Sequence, residues 1–199
     1  MKTSSWILAA TLVTVGAGAW ALAADAQGKD KPASKPAAAG TMTDMQMPKP
    51  GPEQKLLAES VGKWNFKMKM GPIESAGTSE RKMSMDGWYL EDSTHSTMMG
   101  MPFEGHGFTG YDPVKKKYVG TWMDTMGRGC IMNSEGTYDA ATKTFTSTMD
   151  MPDQAGTAYV KEKIVDKMID ADHFTTTFTA PGSDGTGPMD FSIEYTRGK

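Results

Sequence analysis

Gly105-His106-Gly107-Phe108-Thr109-Gly110-Tyr111-Asp112-Pro113-Val114-Lys115-Lys116-Lys117-Tyr118-Val119-Gly120-Thr121-Trp122-Met123-Asp124 reads as two antiparallel strands joined by a turn. Proline presets φ for the second position of a type I turn, and the aspartate before it can cap the turn with its own carboxylate. A loop over Pro113–Lys116 then sets the register. Asp112 faces Lys117, Tyr111 faces Tyr118, Thr109 faces Gly120, Gly107 faces Trp122 and Gly105 faces Asp124. Glycine weakens a strand unless something packs against its backbone or the strand must bend. Gly107 therefore leaves a gap into which the Trp122 indole can lie.

The design recurs. Tyr111-Asp112-x-x-x-Lys116-x-Tyr118 is matched by Tyr138-Asp139-x-x-x-Lys143-x-Phe145. Two hairpins of one pattern, with a strand-like run between them, predict an up-and-down antiparallel meander rather than a βαβ fold. Further strand candidates with Gly, Pro or Asp at most joins are Gly77–Met85, Trp88–Thr97, Cys130–Tyr138, Thr157–Ile169, His173–Thr179 and Asp190–Thr196. Ahead of them, Lys63-Trp64-Asn65-Phe66-Lys67-Met68-Lys69-Met70 alternates cleanly, with Trp64, Phe66, Met68 and Met70 inward. One short helix precedes that strand, from Pro52 to Val61, with Leu56, Leu57 and Val61 as its apolar stripe and Gly62 ending it. About ten strands in an all-β meander predict a closed barrel, because closure removes exposed edges. A two-sheet sandwich is the alternative.

Outside this domain, residues 1–23 carry a charged start, an apolar run and Ala21-Leu22-Ala23. That pattern fits a cleaved secretory signal and a periplasmic or secreted protein. The run is short for a membrane span of roughly 20 residues. Residues 24–50 form an Ala-, Lys-, Pro- and Met-rich tether with too little apolar content to order itself. Residues 51–199, about 150 in all, suffice for one barrel domain with its own core. The single cysteine, Cys130, rules out an internal disulfide and is expected as a buried small hydrophobe. Net charge is −3 without a basic block, so nucleic acid is not an expected partner; nor is a membrane once the signal is removed.

The longer pattern resembles a known family. Pro50-Gly51-Pro52-Glu53-x-x-x-Leu57, Gly62-x-Trp64, Met99-Gly100-Met101-Pro102-Phe103-Glu104-Gly105, Thr109-Gly110-Tyr111-Asp112 and Ser134-Glu135-Gly136-Thr137-Tyr138 together are similar to the uncharacterised bacterial family numbered 1579 among domains of unknown function. Gly62-x-Trp64 after a short helix also resembles the opening of calycin barrels. The resemblance spans Pro50 to Lys199 and implies a calycin-like, lipocalin-like barrel. It implies no activity. His106 and Phe108 stand where aliphatics would look more typical of the pattern.

Barrels of this size either fill with side chains or hold one small ligand. The hairpin face carrying Phe103, Gly105, Gly107, Thr109, Tyr111, Tyr118, Gly120, Trp122 and Asp124 is expected inside. A non-enzymatic site for a small, partly apolar ligand would use Tyr111, Tyr118, Trp122 and Trp64 as walls and Asp124 as the orienting polar group. A filled core is the alternative. Two other chemistries have candidates. Met42, Met45 and Met47 in the tether could hold Cu(I) through thioethers, with Met98, Met99 and Met101 as further ligands. Glu104 and His106, two apart on one strand face, could form an acid–base pair for a small hydrolase or isomerase. No nucleophile elbow, phosphate loop or Cys/His cluster is present, and no cofactor is expected.

Overall fold

The computed structural model describes residues 48–153, 155–180 and 190–199. The chain enters helix α1 (Pro52–Ala58) and then ten strands: β1 (Gly62–Met70), β2 (Ile73–Ser84), β3 (Tyr89–Met98), β4 (Met101–Asp112), β5 (Lys117–Asp124), β6 (Met132–Asp139), β7 (Thr144–Pro152), β8 (Tyr159–Met168), β9 (His173–Thr179) and β10 (Phe191–Arg197). Each strand pairs antiparallel with its neighbours in sequence, and β10 returns to β1, closing the barrel. Closure decides between barrel and sandwich, and among the described residues no edge strand is left unpaired.

The expected register of the central hairpin is the observed one, from Asp112–Lys117 through Tyr111–Tyr118 and Gly107–Trp122 to Gly105–Asp124. Both Tyr-Asp turns close alike. The Asp112 carboxylate accepts from the Val114 and Lys115 amides at 2.9 and 3.0 Å, and Asp139 accepts from the Ala141 amide at 2.9 Å. Lys116 and Lys143, the matched lysines, both take left-handed φ of 53°.

Several strands are longer than the residue pattern indicates, because their turns are tighter. Gly71-Pro72 alone links β1 to β2, and Met99-Gly100 alone links β3 to β4. Gly71 (φ 55°), Met99 (φ 50°) and Gly100 (φ 77°) supply the left-handed backbone that two-residue hairpin loops need. The helix is shorter than expected. Its α-helical part ends at Ala58, and the Glu59, Ser60 and Val61 amides turn back to the Leu56, Leu57 and Ala58 carbonyls in a tighter last turn. That turn leaves Val61 exposed, and Gln54 is buried in its place, bonding the Gly51 amide at 2.9 Å.

The barrel wall is uneven, and this positions everything that follows. Inward positions of β1, β9 and β10 are large: Trp64, Phe66, Met68, Phe174 and Tyr195 form the packed core. Several inward positions of β4 to β7 are small: Thr109 lies opposite Gly120, which lies opposite Ser134, while Gly136 lies opposite Ser147. The core side chains of β1, β9 and β10 and the small ones of β4 to β7 face each other across one open interior. Trp64 closes the helix end, with its indole N–H donating to the Ser60 carbonyl at 2.9 Å and the Arg197 guanidinium stacked 4.2 Å above its ring.

Buried acids cost stability at the other end. Glu162 is buried on β8, where desolvation first and the nearby Asp190 second raise its pKa. One of its oxygens has no hydrogen-bond partner. A carboxyl whose folded pKa lies above its unfolded value favours the folded state below the unfolded pKa, and that contribution is lost as pH rises through the folded pKa. Glu162→Gln is therefore expected to raise the urea midpoint at neutral pH, with the gain shrinking as pH falls towards the ordinary carboxyl value of 4.5.

Candidate functional site

The barrel interior holds a cavity of about 450 Å³, lined from all ten strands and within the range of small-molecule sites. Leu56 and Leu57 of α1 cover its helix end. Among the described residues, eight methionines line it: Met68, Met70, Met98, Met99, Met126, Met149, Met151 and Met168. Unbranched thioether side chains conform to irregular shapes, so this lining is adaptable rather than moulded to one outline.

Trp122 is the best-defined wall. Its indole lies across Gly105 and Gly107: a Cβ built on Gly105 would sit 2.3 Å from Cζ2, and one on Gly107 would sit 2.7 Å from Cε3. The indole N–H donates to Asp124 Oδ2 at 2.9 Å, and Asp124 Oδ1 accepts the Met126 and Gly127 amides at 2.8 and 2.6 Å. Asp124 lines the cavity, but both its oxygens are occupied in holding the tryptophan and the following turn.

Tyr118 also lines the cavity, inside an aromatic chain that runs from Tyr111 (ring centroids 5.2 Å apart) through Tyr118 to Phe145 (4.9 Å) and on to Tyr138 (4.6 Å). Gly136, opposite Tyr118 in the register, lets the neighbouring strand approach closely, since a Cβ there would meet the backbone of Thr146 and Ser147. Burial, with the Glu53 charge and the two neighbouring tyrosines, pushes the Tyr118 hydroxyl up to about 12. Burial raises Tyr195 too. A phenol with a raised folded pKa contributes stability that is complete below its unfolded pKa of about 10 and lost as pH rises through the folded value. An alkaline titration followed by tyrosinate absorbance should show late ionisation coinciding with loss of circular dichroism. Tyr118→Phe is expected to move the alkaline unfolding to higher pH.

Tyr118, Trp122 and Asp124 thus meet at the cavity, whereas Tyr111 packs edge-on behind Tyr118 and Trp64 belongs to the packed core at the helix end. Glu104 and His106 lie on the outer face of β4, half exposed, with Nε2 to Oε1 at 3.0 Å. The His95 ring stands edge-on 6.4 Å from His106. Among the described residues no group of three His, Cys, Asp or Glu is placed to hold a metal. Cys130 departs from expectation: it sits half-buried in the β5–β6 loop, near the exposed Tyr159, rather than packed in a core. Met42, Met45 and Met47, like the residues 1–23 read as a signal, lie outside the described residues.

A polar cluster in the cavity wall is absent from the residue-level reading above. Arg81 and Asp92, opposite each other on β2 and β3, form an ion pair at 2.8 Å with side chains only 16% and 17% exposed. Asp92 also accepts from Ser79 at 2.6 Å and from Thr94 at 3.1 Å. The Arg81 guanidinium stacks 4.4 Å from the Phe174 ring centroid. Across the register from Thr176, Asp166 accepts that residue's hydroxyl, and burial raises its pKa despite the pull of Arg81. Strand parity was the available signal, since Arg81 follows Gly77 and Ser79 at period two and Asp166 follows Ile164.

These features define a closed, ten-stranded antiparallel barrel with a cavity walled by aromatic and methionine side chains around a buried polar cluster. The chain belongs to the family described as Protein of unknown function (DUF1579), whose family model matches residues 49–197. A search of curated proteins finds no match. Among solved structures the chain is similar to redesigned beta barrels. One shares 13% identity at a TM-score of 0.40, covering 74% of this chain and 96% of that one. The redesigned barrels mFAP1 and mFAP0, both bound to DFHBI, share 14% and 13% identity at a TM-score of 0.38 each. They cover 73% and 71% of this chain, and 98% and 99% of their own.

Proposed function

We propose that this protein is a non-enzymatic, exported barrel that takes up a small, partly apolar molecule in its interior. The supporting observation is the uneven wall. Small side chains on β4 to β7 help keep about 450 Å³ open beside Trp122 and Tyr118, facing the larger side chains of β1, β9 and β10. Apolar surface lining a cavity of this size favours a guest that can shed its own hydration. The methionine lining favours a family of related shapes over a single one. Export rests on residues 1–23 read as a signal, and the mass of the mature N-terminus in the host's periplasm tests it.

The binding reading is tested by filling the hollow. A neutral apolar dye such as Nile red should bind the wild type one to one with enhanced emission. A Ser134→Phe/Ser147→Phe variant with unchanged circular dichroism should lose that binding. Equal dye uptake by both proteins would place the dye elsewhere and sink the reading.

A further inference from the structure

The chemistry of the guest's polar end follows from which hydrogen-bonding capacity in the cavity is already used. This inference rests on the interior being the binding site. Asp92 is engaged at both oxygens, with Oδ2 taking the Arg81 Nε–H and Oδ1 taking two hydroxyls. Asp166 Oδ1 takes the Thr176 hydroxyl. Among the described residues, the Arg81 Nη groups and Asp166 Oδ2 make no hydrogen bond, and Arg81, Asp92, Asp166 and Thr176 all line the cavity. Unused donors and an unused acceptor therefore belong to residues lining one cavity. Its formal charge is not positive, because Asp92 already balances Arg81 and Asp166 is a second acid. Desolvating an anion there would go uncompensated.

We propose that the ligand's polar end is an uncharged group with an acceptor beside a donor, such as an amide or lactam. The acceptor takes an Arg81 Nη–H, and the donor meets Asp166. A simple carboxylate lacks the donor and adds charge beside two acids, while an amine lacks the acceptor and opposes Arg81. Sites built to hydrogen-bond a specific group reject analogues that leave buried partners unpaired.

Calorimetric titration with decanamide, decanoate and decylamine at neutral pH tests this, since the tail is constant. The amide should bind at least about tenfold tighter than either charged probe, a difference of roughly 1.4 kcal/mol. In Asp166→Asn, which keeps an oxygen for Thr176, the preference of amide over carboxylate should fall to about threefold or less. The Arg81→Met/Asp92→Leu pair, which removes the Nη donors together with the carboxylate that balances them, should lose the preference as well. Decanoate or decylamine binding as tightly as the amide in the wild type would overturn the inference and leave the cavity reading intact. So would a preference unchanged in both variants. Binding of none of the three would remove the cavity reading together with the inference.

Discussion

Asp92→Ala is expected to lower the unfolding free energy by about 3–5 kcal/mol, the usual cost of breaking a buried ion pair from one side. Arg81 stays enclosed, stacked on Phe174, and loses the acceptor of its Nε–H. Ser79 and Thr94 lose their acceptor too. Domain stabilities are only about 5–15 kcal/mol, so the variant should be near its limit at ambient temperature. Arg81→Met/Asp92→Leu removes both charges, and its loss should be much the smaller of the two, because apolar groups of similar volume replace a buried pair at little net cost. Urea denaturation of both proteins checks the order. A double variant weaker than Asp92→Ala would mean that the pair, rather than the abandoned arginine, carries the stability.

Gly105→Val should cost about 3 kcal/mol, at the upper end of overpacking penalties. The added Cβ would stand 2.3 Å from Trp122 Cζ2, so the indole must leave its place against β4. Leaving, it also breaks its hydrogen bond to Asp124, the residue that caps the next turn. Trp122→Ala alone should cost about 3–5 kcal/mol as a large-to-small change. Gly105→Val/Trp122→Ala should be no less stable than Trp122→Ala, since the valine then fills part of the gap. Coupling of that sign, within the 0.5–3 kcal/mol seen between contacting residues, is measured by chemical denaturation of all four proteins. Additive losses would show that the glycine serves strand curvature instead of the ring.

Much of this was legible in the residues because turn chemistry and side-chain parity act locally. Asp112-Pro113 and the matching Asp139 turn fix the loops, and counting outward from them gives the register and the inward face of β4 and β5. Trp122 lying over a glycine follows from the same count. The hollow was less legible, because a small inward residue shows only that volume is missing at one position. Whether opposite walls meet depends on closure, which brings Ser134 and Ser147 to face the interior beside the packed Phe174 and Tyr195. Arg81, Asp92 and Asp166 were legible in principle by parity, yet charged residues on strands read first as solvent-facing. Their partners lie on neighbouring strands, at sequence separations that give no local signal. The hairpin count places Asp124 inward but cannot show that the nearby indole and turn amides use its oxygens.

Native mass spectrometry of the protein purified from its own host tests the central claim most directly. A retained small molecule, one per chain, should appear on the wild type and be missing from Ser134→Phe/Ser147→Phe prepared in the same way. Wild-type protein that carries only its bare chain mass and also takes up no neutral apolar dye would contradict the account.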